Sequence, residues 1–140
     1  MKGTYLVLAR LAKATTIQVG RLAKGTFPAG WYLYVGSAMG PGGVRARLAR
    51  HGRQEKRLHW HIDYLLAHCV PAASWYVAST ERLECAWARA LVQLDAAHIP
   101  MPGFGSSDCH CASHLFYFSR RPSLSQIEQA IDAKLVLFRK

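Results

Sequence analysis

Short strand-like runs crowd the first 35 residues of this chain, and the connections between them are too short to hold a helix. Residues 3–9 (Gly-Thr-Tyr-Leu-Val-Leu-Ala) are apolar and rich in strand formers, so they read as a buried strand. Thr15 to Val19 alternates Thr, Ile and Val with polar neighbours, and Gly20 and Gly25 mark turns around it. Trp31 to Val35 is a third run, introduced by Pro28-Ala29-Gly30. A parallel pairing would need a crossover of a dozen or more residues, usually helical. The three runs are therefore expected as an antiparallel meander.

Downstream, the pattern turns helical. The loop Gly36-Ser37-Ala38-Met39-Gly40-Pro41-Gly42-Gly43 is too glycine-rich to be regular, and it feeds a helix from about Val44 to His51, ended by Gly52. A basic connector, Arg53 to Arg57, leads to a helix from about His59 to His68. Residues 73–79 read as a further strand. Glu81 to Leu94 reads as a helix with an apolar stripe of Leu83, Trp87, Ala90, Leu91 and Leu94, and Thr80 can cap it. Ile99 to His114 reads as a loop, Leu115 to Phe118 as an edge strand, and Ser123 with Gln126 as the capping box of a closing helix through about Ala133.

Composition narrows the partners. At 140 residues, 51% of them hydrophobic, a single domain with an ample core is expected. Eighteen Lys and Arg against eight Asp and Glu give a formal charge of +10. Such a bias, clustered rather than spread, favours a polyanion, with nucleic acid ahead of an acidic membrane surface. Nothing reads as a membrane span: the uncharged stretch Tyr64 to Thr80 is broken by His68 and Pro71 and is short for one. No export leader is read at the N-terminus, where Arg10 and Lys13 interrupt the apolar run. Cys69, Cys85, Cys109 and Cys111 are accordingly expected as reduced thiols in a cytoplasm.

Charge and chemistry converge on the helix from Val44. Arg45, Arg47, Arg50, Arg53, Lys56 and Arg57 lie on it and its connector, opposed only by Glu55. Arg47, Arg50 and His51 share one face at i, i+3 and i+4. The glycine loop before them, with Ser37, would let a nucleic-acid backbone approach, and its free amides can hold phosphate. Tyr5 and Tyr34 are either packing residues or phenols whose pKa the nearby arginines lower enough for proton transfer. Tyr32 shares a face with Tyr34 and reads as packing. Glu84 falls at the border of a core stripe, where a carboxylate needs an arginine or a metal ion. His59 and His61 flank Trp60 at i and i+2, so at most one faces a common site. Cys109-x-Cys111 with His114 offers three zinc ligands, with Cys69 or Cys85 as a fourth; a hydrogen-bonded structural loop is the alternative.

The ordered set Gly3-x-Tyr5, Tyr34-x-Gly36, Arg47-x3-His51 and Glu84 resembles the GIY-YIG nuclease superfamily. Pro102 to Cys109 and Ser113 to Phe118 look like its small stand-alone DUF123 or Uri-type branch. The resemblance implies an α+β fold: a small antiparallel sheet, a three-stranded core plus an added strand, flanked by helices. Its core would cover about residues 3–94, with a branch-specific loop, edge strand and closing helix over about 95–140. It also implies a metal-dependent endonuclease acting on nucleic acid, DNA ahead of RNA, and leaving 5′-phosphate and 3′-hydroxyl ends. Tyr5 matches the general base, Tyr34 the second tyrosine, and Arg47 the arginine that stabilises the transition state. Glu84 matches the carboxylate for one Mg²⁺ or Mn²⁺, and His51 and His59 match histidines found beside the tyrosines in some members. Thr4 and Val35 replace the motif isoleucines, and the wide spacing of the tyrosine motifs implies an inserted loop or strand. The chain contains no asparagine, although many members use a late one; Ser107, Asp108 or His114 could stand in for it. Two competing expectations follow: a nucleic-acid-binding module without catalysis, and a zinc-stabilised interaction protein.

Overall fold

The computed structural model describes residues 1–53, 56–107 and 109–139. Among the described residues a mixed α/β fold contains a five-stranded antiparallel sheet, a separate two-stranded hairpin and four helices. In chain order these are β1 (Gly3–Leu11), β2 (Thr15–Val19), β3 (Ala23–Phe27), β4 (Gly30–Ala38), α1 (Gly43–His51), α2 (His61–Leu66), β5 (Val70–Ala78), α3 (Glu84–Leu91), β6 (Leu115–Phe118), α4 (Leu124–Ile131) and β7 (Val136–Leu137).

The expected meander does not form. β1 pairs directly with β4, and the sheet order is β6-β4-β1-β5-β7. β2 instead folds onto β3 as its own hairpin. Physically, β1 is buried at eight of its nine positions, as a central strand must be, whereas β2 exposes alternate residues and suits a hairpin covered on one face. That hairpin lies between the two tyrosine motifs. The strand at residues 73–79 begins earlier, at Val70, and Leu115 to Phe118 is the edge strand its sequence suggests.

Both faces of the sheet are covered. Tyr5, Val7, Ala9 and Leu11 of β1, with Tyr32 and Tyr34 of β4, pack against Val44 and Leu48 of α1, Ile62 and Leu65 of α2, and Phe104. The alternate residues Leu6, Leu8, Leu33 and Val35 pack against Trp87 and Leu91 of α3 and Ile127 and Ile131 of α4. The capping box at Ser123 and Gln126 forms as its sequence suggests: Gln126 N–H donates to Ser123 Oγ at 3.1 Å, and Ser123 N–H donates to Gln126 Oε1 at 3.1 Å. Thr80 does not cap α3, which starts at Glu84 with Leu83 as its N-cap residue. Among the described residues no helix is long and apolar enough to cross a membrane.

Candidate functional site

A cleft of about 580 Å³ opens at the end of the sheet where β1 begins and β4 ends. Tyr5, Tyr34, Ser37, Arg47 and Glu84 line it together with Trp60, Arg82, Cys85, Cys109 and His114. Its size is that of an ordinary ligand site.

Strand register brings the phenols together. Tyr5 lies opposite Gly36, and Tyr34 opposite Val7, so the two tyrosines are diagonal neighbours on one face. Their ring centroids are 6.4 Å apart. The motif glycines serve close approach. A Cβ at Gly36 would collide with the Tyr5 ring, which leans into the space that glycine leaves. A Cβ at Gly3 would sit 2.6 Å from the Val77 carbonyl oxygen of the adjoining strand. Thr4, in place of an isoleucine, is fully buried but polar. Its Oγ1 accepts the Leu83 N–H at 3.1 Å and lies 3.2 Å from Ser37 Oγ. One hydroxyl thus ties β1, β4 and the start of α3 together, and the next residue along that helix is Glu84.

Behind the cleft, the Tyr5 hydroxyl lies 2.9 Å from His51 Nε2. Burial pushes the Tyr5 phenol up to about 12; Arg47 pulls the other way and loses. The expectation that arginines would lower this pKa is therefore corrected: desolvation outweighs them. Burial likewise holds Tyr34 well above the ordinary phenol value. It also pushes His51 down to about 3, so the imidazole is neutral. The phenol donates to Nε2 in the tautomer that keeps the proton on Nδ1; with the proton on Nε2 the direction reverses and Nδ1 is bare. That nitrogen is buried and has no hydrogen-bond partner among the described residues; Asp63 Oδ1 lies 3.9 Å away.

Asp63, outside every motif described above, organises this wall. Fully buried, it takes Arg50 on both carboxylate oxygens at 2.9 and 3.1 Å, and it accepts the N–H groups of His59 and Trp60. Burial alone would raise its pKa, but these hydrogen bonds, with Arg50 first, bring it below the ordinary carboxylate value. An acid three residues into a possible helix was the available signal.

The basic residues divide. Arg47 reaches the cleft, donating to the Ser37 carbonyl at 3.3 Å with its guanidinium 4.2 Å from the Trp60 ring centre. Arg50 is paired with Asp63 and also lies over Trp60, at 4.4 Å. Arg45 turns the other way, toward the Tyr76 hydroxyl and the Phe138 ring. Lys56 donates to the carbonyls of Arg50 and His51 at the end of α1, where a cation complements the helix dipole. Arg53 and Arg57 are exposed. A shallower groove of about 260 Å³ adjoins the cleft and shares Gly40, Arg47 and Trp60 with it. Glu55, the acid opposing this run, lies outside the described residues.

Several single residues complete the picture. Glu84 opens α3, with Arg82 Nη1 at 3.6 Å from its carboxylate. His59 is exposed against Trp60 and does not line the cleft, so it does not join the tyrosines. His61 accepts the Gly105 N–H at 2.8 Å, pinning the loop before β6. Of the three stand-ins for the absent asparagine, His114 lines the cleft, Ser107 does not, and Asp108 lies outside the described residues. Tyr32 is a packing residue, its hydroxyl donating to the Pro28 carbonyl.

Cysteine chemistry gathers at the rim. Cys85, Cys109, Cys111 and His114 present ligand atoms within 4.8 Å of one another, a set able to hold a metal ion. Of the two cysteines considered as a fourth ligand, Cys85 joins the group; Cys69 is buried in the core on the Tyr5 face.

No curated protein and no solved structure matches this chain. The model of a domain of unknown function, DUF123, matches residues 4–136. That match spans every element from β1 to the start of β7, so the chain belongs to the DUF123 family.

Proposed function

We propose that this protein is a metal-dependent endonuclease of the GIY-YIG type, hydrolysing phosphodiester bonds in nucleic acid, with DNA favoured over RNA. One observation carries the reading: Tyr5, Tyr34, Arg47 and Glu84, drawn from four separate elements, line the same cleft. A +10 chain supplies the field that draws a polyanion to it. The adjoining groove past Arg47 and Trp60 continues the path a strand could follow.

The proton path follows from the hydrogen bonds. A bare phenolate at Tyr5 is unfavourable, because burial holds its proton. Tyr5 can instead pass its own proton to His51 Nε2 as it takes one from the attacking water. The phenol then stays neutral, and the positive charge forms on His51, where burial opposes it and the Asp63 carboxylate at 3.9 Å offsets part of that cost. Tyr34 borders the same space and orients the water. Arg47 offers its guanidinium to the phosphate oxygens as negative charge builds on them.

Glu84 is the one carboxylate on the cleft lining among the described residues, half-buried and reachable. Such a site suits Mg²⁺ or Mn²⁺, which take one or two carboxylates, substrate phosphate and waters. Bound by Glu84, the ion would supply positive charge to polarise the scissile phosphate.

The raised Tyr5 pKa and the missing asparagine favour a second reading, a nucleic-acid-binding module without catalysis. Incubating plasmid, single-stranded DNA and RNA with Mg²⁺ or Mn²⁺, with and without EDTA, separates the two. EDTA-sensitive cutting that is lost in Tyr5→Phe and Glu84→Ala supports the endonuclease. Binding that weakens steeply with salt, with no cutting in any arm, supports the module.

A further inference from the structure

The cysteines on the cleft rim have no part in that chemistry, yet their arrangement is specific. Cys85 is the second residue of α3, and Cys109, Cys111 and His114 come from the loop before β6. His114 Nε2 lies 3.4 Å from Cys109 Sγ and 3.9 Å from Cys85 Sγ. All three sulfurs belong to free thiols. Zn–S bonds near 2.3 Å and Zn–N bonds near 2.0–2.1 Å, at tetrahedral angles, put ligand atoms roughly 3.5–3.8 Å apart. The 3.4 and 3.9 Å separations bracket that range, and no pair exceeds 4.8 Å.

We propose that Cys85, Cys109, Cys111 and His114 form a tetrahedral Zn²⁺ site that fastens the loop before β6 to the first turn of α3. Three thiolates and an imidazole select a soft or borderline ion, not the hard Mg²⁺ or Mn²⁺ that suits a carboxylate. Four protein ligands close the coordination sphere, which is the pattern of a structural rather than a catalytic zinc. The clamp has a local purpose. Cys85 adjoins Glu84, and the loop brings Gly105 and His114 beside Tyr34. Holding the two segments together fixes the distance from the carboxylate to the tyrosine wall.

The test uses the full chain, purified without chelator. Elemental analysis should find about one zinc per chain, as one closed four-ligand site requires. Protein reconstituted with Co²⁺ should show the strong visible absorption of tetrahedral, thiolate-bound cobalt. Cys111→Ser should lose both, whereas Cys69→Ser should keep both. Should Cys111→Ser fail to fold, Cys111→His preserves a ligand at that corner; it should retain one metal per chain with weaker thiolate charge-transfer bands. Stripping the zinc should lower the melting temperature by several degrees. A wild-type protein that takes up neither ion, an octahedral cobalt spectrum, or loss of metal in Cys69→Ser would overturn the site. An unchanged melting temperature after zinc removal would overturn the fastening role. None of these readouts involves cleavage, so a protein that holds zinc but cuts nothing would refute the endonuclease and leave the zinc site standing.

Discussion

The two faces of the five-stranded sheet are filled by different chemistry. Toward α3 and α4 the core is apolar apart from Thr4 at its edge: Leu6, Leu8, Leu33, Val35, Trp75, Trp87, Phe116 and Ile127. Toward α1 and α2 it carries four buried tyrosines, Tyr5, Tyr32, Tyr34 and Tyr76, and His51 and Asp63 are also buried. Buried polar groups cost free energy unless they are paired. Most here are paired: Tyr5 with His51, Asp63 with Arg50 and two backbone amides, Tyr32 with a carbonyl. The exception is His51 Nδ1. One face therefore secures the fold, while the other carries polar groups whose protonation and pairing have consequences beyond packing.

This contrast can be broken most sharply by paired substitutions. On the proposed reading, Arg47→Ala should reduce the cleavage rate by roughly 10²- to 10⁴-fold with little change in melting temperature, and Tyr5→Phe should reduce it as far while costing about 1–3 kcal/mol for the His51 nitrogen it strands. Leu33→Ala on the apolar face should do the reverse, costing about 2–5 kcal/mol in denaturant unfolding while the remaining folded protein cuts normally. Equal losses of stability on both sides would erase the distinction.

A smaller effect is expected from pH. The His51 imidazole is held down to about 3 in the folded chain against an ordinary 6.5, so the unfolded chain takes up a proton first as pH falls. Its contribution is fully favourable above 6.5 and is lost toward 3, at no more than about 1.4 kcal/mol per pH unit. The groups facing it are Tyr5 and Tyr34 from the sheet, Asp63 and Trp60 from the α2 side, and Arg47, Arg50 and Lys56. Asp63 shifts downward from 3.8, so its own loss falls at still lower pH. Urea unfolding at pH 7 and pH 4.5 should show a smaller drop for His51→Gln than for wild type. Equal drops would show that the imidazole does not stay neutral inside.

The smallest effect separates the arginines. Exposed Arg53 should contribute about one unit to the salt slope of nucleic-acid binding, so Arg53→Ala should flatten it by that amount. The charge of Arg50 is already met by Asp63, so Arg50→Ala should change the slope less and stability more. The opposite order would place the phosphate path elsewhere.

Local signals explain what could be read from the sequence. The long strands, the Ser123 cap and the two tyrosine motifs depend on neighbours within a few positions. β3 carries no local strand signal, because Ala23-Lys24-Gly25-Thr26-Phe27 is neither apolar nor rich in strand formers, and its pairing partner decides its state. The meander failed because short connections imply antiparallel strands without saying which sheet they join. Asp63 and Cys85 gain their meaning from residues 13 and 29 positions away, so neither a helix-start signal at Asp63 nor a choice between Cys69 and Cys85 could settle their roles. The sign of the Tyr5 shift rested on a contest between burial and a nearby charge, and only the packed structure gives the burial.

Thr4 and Tyr5 are consecutive on a strand, so they point to opposite sides of it. The first grips the helix that bears Glu84; the second presents the phenol. A single peptide unit therefore serves as the ruler between the Glu84 carboxylate and the Tyr5 phenol. Sliding β1 by one position would exchange the two sides and unmake the cleft in one step, even with every side chain retained.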